Sequence, residues 1–545
     1  MGVTAATAGL KVIVLERDRL LGGTSAISGG ALWIPCTHQA IAGGFTDSLD
    51  CARTYLQHVT GDCYRSDLID GFLHHGPEAL AFLERHTDLR YTVRPLSPDY
   101  YPELPGATDC GRALEVGEFD GRTLGPYFEM LRPPPKGMMG LGGMMVNRTD
   151  ISHFLNMRRS ARSCLHLARL AAKYYKDRLQ YSRGTRLVIG NAMVAALVKA
   201  AADRSVVIHT GAKTGAFLTD SSGRVVGTVT TLKTGETVRI HSRGGVALGT
   251  GGLSRRADAQ TERPDTGDDH LSMAAPAADG SMMLMAEREL GAQIGGGLKS
   301  SFYWAPMSAM RYGDGSVEVF PHIVTDRAKP GIIAVTDRGV RFTNEANSYH
   351  RFVEAMRAEQ RSGAARFYLI ADRASINAYG LGLVRPRPGL RGRFIRNGYL
   401  IEAASIRALA ACLEIEPSTL DKSVAEFNSD ASAGTDRQFG RGESSYNRAM
   451  GDSSARHPCL APLQTPPFYA VRVFTGDLGS AKGLVTDACA RVLHKDGGVI
   501  RGLYAVGTDM NSVVGGTYPG PGIVLGTGLT FAYIAARTVF GDLRE

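Results

Sequence analysis

No Cys-x-x-Cys pair occurs in the sequence, although it contains eight cysteines (Cys36, Cys51, Cys63, Cys110, Cys164, Cys412, Cys459 and Cys489). That excludes ribbon-type zinc sites and a thioredoxin-like redox motif, and thiols so scattered through a long chain read as reduced. No uninterrupted apolar run reaches the ~18 residues that a bilayer span requires. No basic segment followed by an apolar stretch opens the chain as a secretory signal would. These absences predict a cytoplasmic protein with no transmembrane segment. The formal net charge is +9, yet Lys and Arg form no block and are not interleaved with aromatics, which excludes nucleic acid as the expected partner. There is no internal repeat.

Glycine, by contrast, is abundant. The 545 residues include 66 glycines, roughly one in eight against an average near ~7%. They cluster between apolar runs, a distribution that suits close backbone approach to a ligand. The length exceeds what one hydrophobic core usually supports, so two or more domains are expected.

"LKVIVLE" (residues 10–16) reads as a buried parallel strand. Glu16 ends it, where a carboxylate hydrogen-bonds the adenosine ribose in a dinucleotide-binding fold. "RDRLLGGTSAISGG" follows, alternating glycines with hydroxyls: Gly22, Gly23, Thr24, Ser25, Ser28, Gly29 and Gly30. Backbone N–H groups and short hydroxyls are what a pyrophosphate and a flavin edge require. Residues 64–90 and 149–180 carry helical patterns, and a Pro/Gly-rich irregular stretch separates them. A hairpin is expected about Ser222-Gly223, a buried strand in "VALGTGG", and a Met-rich helix over 280–292. Near the other end, "AVGTDMNSVVGG" sets Asp509 just after a strand. "PGPGIVLG" then opens a helix from about Ile523, whose N-terminal N–H groups face an electron-accepting group. Two distant segments thus serve one cofactor, and the middle is an inserted domain.

Five segments, "GLKVIVLERDRLLGGTSAISGGALWIP", "DYYPELPG", "RGVRFTNEANSYH", "FTGDLGSAKGLVTD" and "GTDMNSVVGGTYPGPGIVLGTGLTFAYIAAR", follow one another over nearly the whole length. In them the chain resembles the fumarate reductase and succinate dehydrogenase flavoprotein family, and within it the 3-ketosteroid Δ1-dehydrogenases. The resemblance implies an α/β fold, α+β overall. Its split Rossmann-like FAD-binding domain (residues 1–276 and 477–545) holds an inserted α+β capping domain (277–476). It implies FAD, non-covalent or in some members covalent, and with no histidine in an attachment context non-covalent FAD is expected; Thr214, Thr250 and Gly251 lie beside the loop residues above, and Gly522, Ile523 and Leu525 at the flavin end. It further implies desaturation beside a ring ketone of a hydrophobic, 3-ketosteroid-like substrate. Tyrosine-assisted proton abstraction accompanies hydride transfer to flavin N5, and an unidentified acceptor reoxidises the flavin. By motif, Tyr518 and the amide of Gly522 hold the ketone oxygen and Tyr349 takes the proton. A second tyrosine assists it. "PDYYPE" offers Tyr100 and Tyr101, and the reading favours Tyr101.

A dicarboxylate reductase would need cationic clamps, for which Arg341, His322 and His350 are the candidates. Relatives open with a strand and Gly-x-Gly-x-x-Gly, for which Gly2 supplies at most the third glycine. Without that strand the neighbouring strand edges are expected to lie open and FAD to bind weakly. A flavin-poor, non-catalytic relative is therefore the third reading.

Overall fold

The computed structural model describes residues 1–140, 142–157, 160–256, 271–386 and 391–543. Its strand Ile13–Glu16 runs parallel to Val207–Thr210, with Glu16 opposite Thr210. A second parallel pair joins Val246–Leu248 to Val499–Ala505, and Arg491–Leu493 adds an antiparallel strand to it. Among the described residues no ladder hydrogen bonds connect these two sheets. Residues on both sides of the gap, Val12 to Glu16 and Val246 to Leu248, line one cavity.

The hairpin about Ser222-Gly223 pairs Lys213–Thr219 with Val225–Thr231, and Thr237–His241 extends it. Ser281–Leu290 is the expected Met-rich helix. The helical pattern over 149–180 resolves into Arg148–Asn156 and Ala161–Asp177; residues 158 and 159 of that pattern lie outside the described residues. The glycine-rich loop rests on the start of helix Ile189–Ala202. A Cβ at Gly190 would stand 2.0 Å from the Ser25 carbonyl oxygen, so only glycine permits this approach.

The middle of the chain builds a seven-stranded sheet. Its main path is Val317–Pro321, Phe302–Arg311, Phe468–Ser480, Phe367–Asp372 and Ile332–Thr336, antiparallel throughout. Leu271–Ser272 and Ile401–Ala403 also pair with Phe468–Ser480. Strand side chains alternate between faces, and both faces here are apolar. Phe367, Leu369 and Ala371 enter one core, while Tyr368 and Ile370 enter another.

One described helix, Ile523–Asp542, is long and apolar enough to cross a membrane. Inspection of uninterrupted apolar runs passes over it because threonines and glycines break it up. Half of its apolar stretch is buried within the protein, where it packs against Ser66–His86.

Candidate active site

A cavity of about 2160 Å³ runs from the end of strand Ile13–Glu16, past the glycine-rich loop, to a group of buried tyrosines. Gly23, Gly29 and Gly507 line it, and a Cβ added to any of them would meet no atom within 4 Å. Their backbone is open to a large planar group with a pyrophosphate, so the cleft fits FAD. Glu16, Gly22, Thr24, Ser25, Ser28, Gly30, Thr214, Thr250, Gly251 and Leu525 also line the cavity. The Glu16 carboxylate accepts from the Asp18 N–H at 2.8 Å, and burial raises its pKa. Thr24 Oγ1 accepts from the Ala275 N–H at 2.9 Å, tying the loop to the segment just after strand Leu271–Ser272.

Two expected cofactor residues do not reach the wall. Asp509 is fully buried, and its carboxylate accepts from the Thr250 N–H (2.5 Å), the Thr250 hydroxyl (2.7 Å) and the Gly252 N–H (2.8 Å). It fixes the loop that lines the cleft and leaves no oxygen facing it. Ile523, the first residue of the last helix, points into the core, while Val524, Leu525 and Gly528 face the cavity.

At the far end Tyr100, Tyr349, Tyr446 and Tyr518 are all buried and all line the cavity. The Tyr100 hydroxyl donates to that of Tyr349 at 3.0 Å. Tyr349 and Tyr518 meet edge-on with ring centroids 5.1 Å apart, and Tyr100 stacks on Tyr518 at 5.5 Å. Tyr349 begins helix Tyr349–Arg361, whose preceding Ser348 side chain accepts from the Arg351 N–H. Burial among other phenols holds the Tyr349 hydroxyl well above the usual value of 10. Burial also pushes Tyr518 up to about 12, against the opposing effect of its hydrogen bond with Tyr349. Gly522 lines the cavity, and its N–H has no acceptor among the described residues. Its φ is +100°, and a Cβ there would lie 2.4 Å from the Ala31 carbonyl oxygen.

The tyrosine beside Tyr349 is Tyr100, not Tyr101, which corrects the expectation. The Tyr101 ring lies under the Arg351 guanidinium at 5.0 Å, and its N–H donates to the Tyr55 hydroxyl. The choice is made by anchors on either side of Tyr100. Asp99 accepts from the Trp33 indole (2.7 Å) and from Arg112 (2.8 Å), while the Tyr100 N–H donates to the Pro519 carbonyl at 2.9 Å. The Tyr55 hydroxyl donates to the same carbonyl at 2.6 Å. These bonds clip Tyr100 to the Tyr518 loop.

Tyr446 has no signal in the sequence: it is a lone aromatic in a polar stretch, brought in by the short helix Ser445–Met450. Of the dicarboxylate-clamp candidates, none lines the cavity. Arg341 is buried against Glu345 and Asp436, and His322 lies between Asp326 and Ser308. His350 accepts from the Trp304 N–H, and burial lowers its pKa to about 3.

A glycine-lined cleft for a flavin dinucleotide that ends on a cluster of phenols defines a flavin-dependent oxidoreductase. The chain matches the FAD binding domain family over residues 1–525 and belongs to it. It is 36% identical over 544 residues to 4-oxocyclohex-2-ene-1-carboxylate 5-dehydrogenase of Sinomonas cyclohexanicum, covering 98% of this chain and 90% of that protein. It is 32% identical over 553 residues to 3-oxosteroid 1-dehydrogenase of Mycolicibacterium smegmatis, covering 98% and 94%. Among solved structures it is similar to 3-ketosteroid Δ1-dehydrogenase of Sterolibacterium denitrificans in complex with 1,4-androstadiene-3,17-dione. The TM-score is 0.91 at 32% identity, over 99% of this chain and 97% of that one. The protein is an FAD-dependent dehydrogenase acting on CH–CH groups, related to the ring-ketone dehydrogenases.

Proposed function

We propose that this enzyme desaturates the carbon–carbon bond next to a ring ketone, on a hydrophobic, 3-ketosteroid-like skeleton. The observation that carries the reading is the buried contact of Tyr349 with Tyr100 and Tyr518 at the end of the FAD cleft. The Tyr518 hydroxyl and the Gly522 N–H hold the ketone oxygen, which gains charge as the adjacent C–H is lost. Preorganised donors of this kind contribute about 2.7–4 kcal/mol each. Tyr349, ionised to the phenolate by loss of its own proton to solvent, takes the proton from that carbon and returns to the neutral phenol. The hydrogen bond from Tyr100 holds the phenolate's charge before that transfer. FAD, when bound, supplies the two-electron acceptor; Glu16 and the Gly22–Gly30 loop hold its nucleotide half, and Gly522 and Leu525 its flavin end. Residues 1–276 and 477–545 form the cofactor-binding part and 277–476 the cap, with Leu271–Ser272 and the end of Phe468–Ser480 reaching across. All eight cysteines are free thiols, which supports a reducing, cytoplasmic setting. The test is anaerobic bleaching of the bound flavin by 3-ketosteroids and simpler ring ketones. Bleaching by a ketone and not by the matching alcohol supports the reading; a flavin left oxidised by all of them sinks it.

A further inference from the structure

At the tyrosine end of the cavity the wall carries more positive than negative charge. Arg94, Arg148 and Lys329 line it there, together with the four tyrosines. Arg94 follows strand Tyr91–Val93 and is mostly buried; its Nε stands 3.8 Å from Glu115 and has no hydrogen-bond acceptor. Arg148 opens helix Arg148–Asn156, is exposed, and has no carboxylate partner among the described residues. Lys329 is buried; its Nζ donates to the Met450 (2.7 Å) and Gly451 (2.6 Å) carbonyls, which leaves a third donor. The carboxylate facing Lys329, Asp452, takes the Tyr379 hydroxyl at 2.8 Å and forms no ion pair with the lysine.

Toward the nucleotide end of the same cavity Arg132 is bridged to Asp18 and Arg17 to Asp279, while Lys11, Lys213 and Arg243 also line it and form no ion pair among the described residues. Arg385, also on the cavity wall, spends its guanidinium on the Gly137 and Met139 carbonyls. Arg94, Arg148 and Lys329 share the wall with the tyrosines. Burying a neutral hydrocarbon against three cations would strip their water and return nothing, a cost that an anion would reverse. Three segments far apart in the chain converge to make this patch.

Building on the ring-ketone reading, we infer that the substrate is an anionic ring ketone, with a carboxylate on the side of the skeleton away from the ketone. Arg148 is the principal partner of that carboxylate, flanked by Arg94 and Lys329. A guanidinium suits the role because its planar fork matches both carboxylate oxygens. The carboxylate would come from a substituent on a single ring or from the side chain of a steroid acid. The chemistry at the wall is the same for both.

The experiment compares acids with their methyl esters in the FAD-loaded enzyme. One pair is 4-oxocyclohexanecarboxylate and its ester; the other is a 3-oxo steroid acid and its ester. Anaerobic flavin bleaching gives the rate, and a flavin spectral titration gives Kd. The expected result is an acid-over-ester preference of tenfold or more in kcat/KM for one pair, weakened by added salt. Arg148→Met should cut that ratio at least tenfold through KM, with flavin content kept, and Arg148→Lys should restore part of it. Arg94→Met gives a second reading of the same patch. Esters oxidised as well as acids by the unaltered enzyme would overturn the inference and leave the ring-ketone reading standing. Bleaching by no acid, ester or neutral 3-ketosteroid would overturn the ring-ketone reading, and this inference with it. Which pair shows the preference decides between the monocyclic and the steroid source.

Discussion

Replacing Tyr100 with Phe removes one oxygen from the tyrosine cluster and little else. The ring keeps its place, since its stack on Tyr518 at 5.5 Å and its edge contact with Tyr446 at 5.1 Å do not involve the hydroxyl. The backbone remains clipped to Pro519, so the fold should lose about 1 kcal/mol at most, the value of one neutral hydrogen bond. The larger effect falls on the reaction. As Tyr349 comes under charge, the hydrogen bond from Tyr100 at 3.0 Å becomes one to an ionised acceptor. Such a bond contributes about 1.5–3 kcal/mol, and each ~1.36 kcal/mol on a barrier is tenfold in rate. Tyr100→Phe should therefore slow flavin reduction roughly 10- to 150-fold at unchanged flavin content. Solvent-deuterium exchange of the α-proton in a bound ketone should slow by the same factor, which separates the proton step from later ones. Tyr101→Phe, which alters a hydroxyl off the cavity wall, should slow either step less than threefold. If the two variants were slowed equally, or Tyr100→Phe not at all, Tyr100 would not be the partner of the base.

Tyr518→Phe should lower turnover about 10²-fold or more with flavin retained, as loss of an oxyanion donor does; steady-state rates on an oxidisable ketone check it. With the Tyr349 phenol held above 10 by burial, kcat/KM should rise with pH and reach no plateau below pH 10. Tyr349→Phe should flatten that rise, and a pH profile for both proteins reads the difference. Gly522→Ala places a Cβ 2.4 Å from the Ala31 carbonyl oxygen at a φ of +100°. It should cost at least ~1–2 kcal/mol in backbone conformation and lower both the melting temperature and the flavin content. Trichloroacetic acid should release all the flavin into the supernatant, since among the described residues no cysteine lines the cavity and the one histidine that does, His241, lies at the end of strand Thr237–His241.

What was legible in the sequence was local. Glu16 at the end of an apolar strand and the glycine–hydroxyl loop after it are contiguous, and the structure sets them side by side on the cavity wall. Tyr518 and Gly522 belong to one loop and kept their relation for the same reason. Tyr100 and Tyr101 are neighbours in an irregular segment, and no local pattern says which ring turns inward. That is settled by Trp33, Arg112 and Pro519, which are distant in the chain. Asp509 stands next to cavity-lining residues, but three donors on the Thr250–Gly252 loop claim its carboxylate. The cationic patch was invisible for a stronger reason: Arg94, Arg148 and Lys329 share neither a motif nor a spacing, and only the folded chain makes them one surface.

The pairing of Val246–Leu248 with Val499–Ala505 bears on how the protein is made. The first of these strands leaves the ribosome some 250 residues before its partner. At ~5–20 residues per second, it waits on the order of 10 to 50 s with an apolar edge uncovered. The seven-stranded sheet closes on Phe468–Ser480, which emerges earlier than Val499–Ala505. The capping sheet can therefore assemble before the cofactor cleft does. The newborn chain spends that interval as a finished cap beside an unfinished nucleotide site, the period in which a chaperone has most to hold.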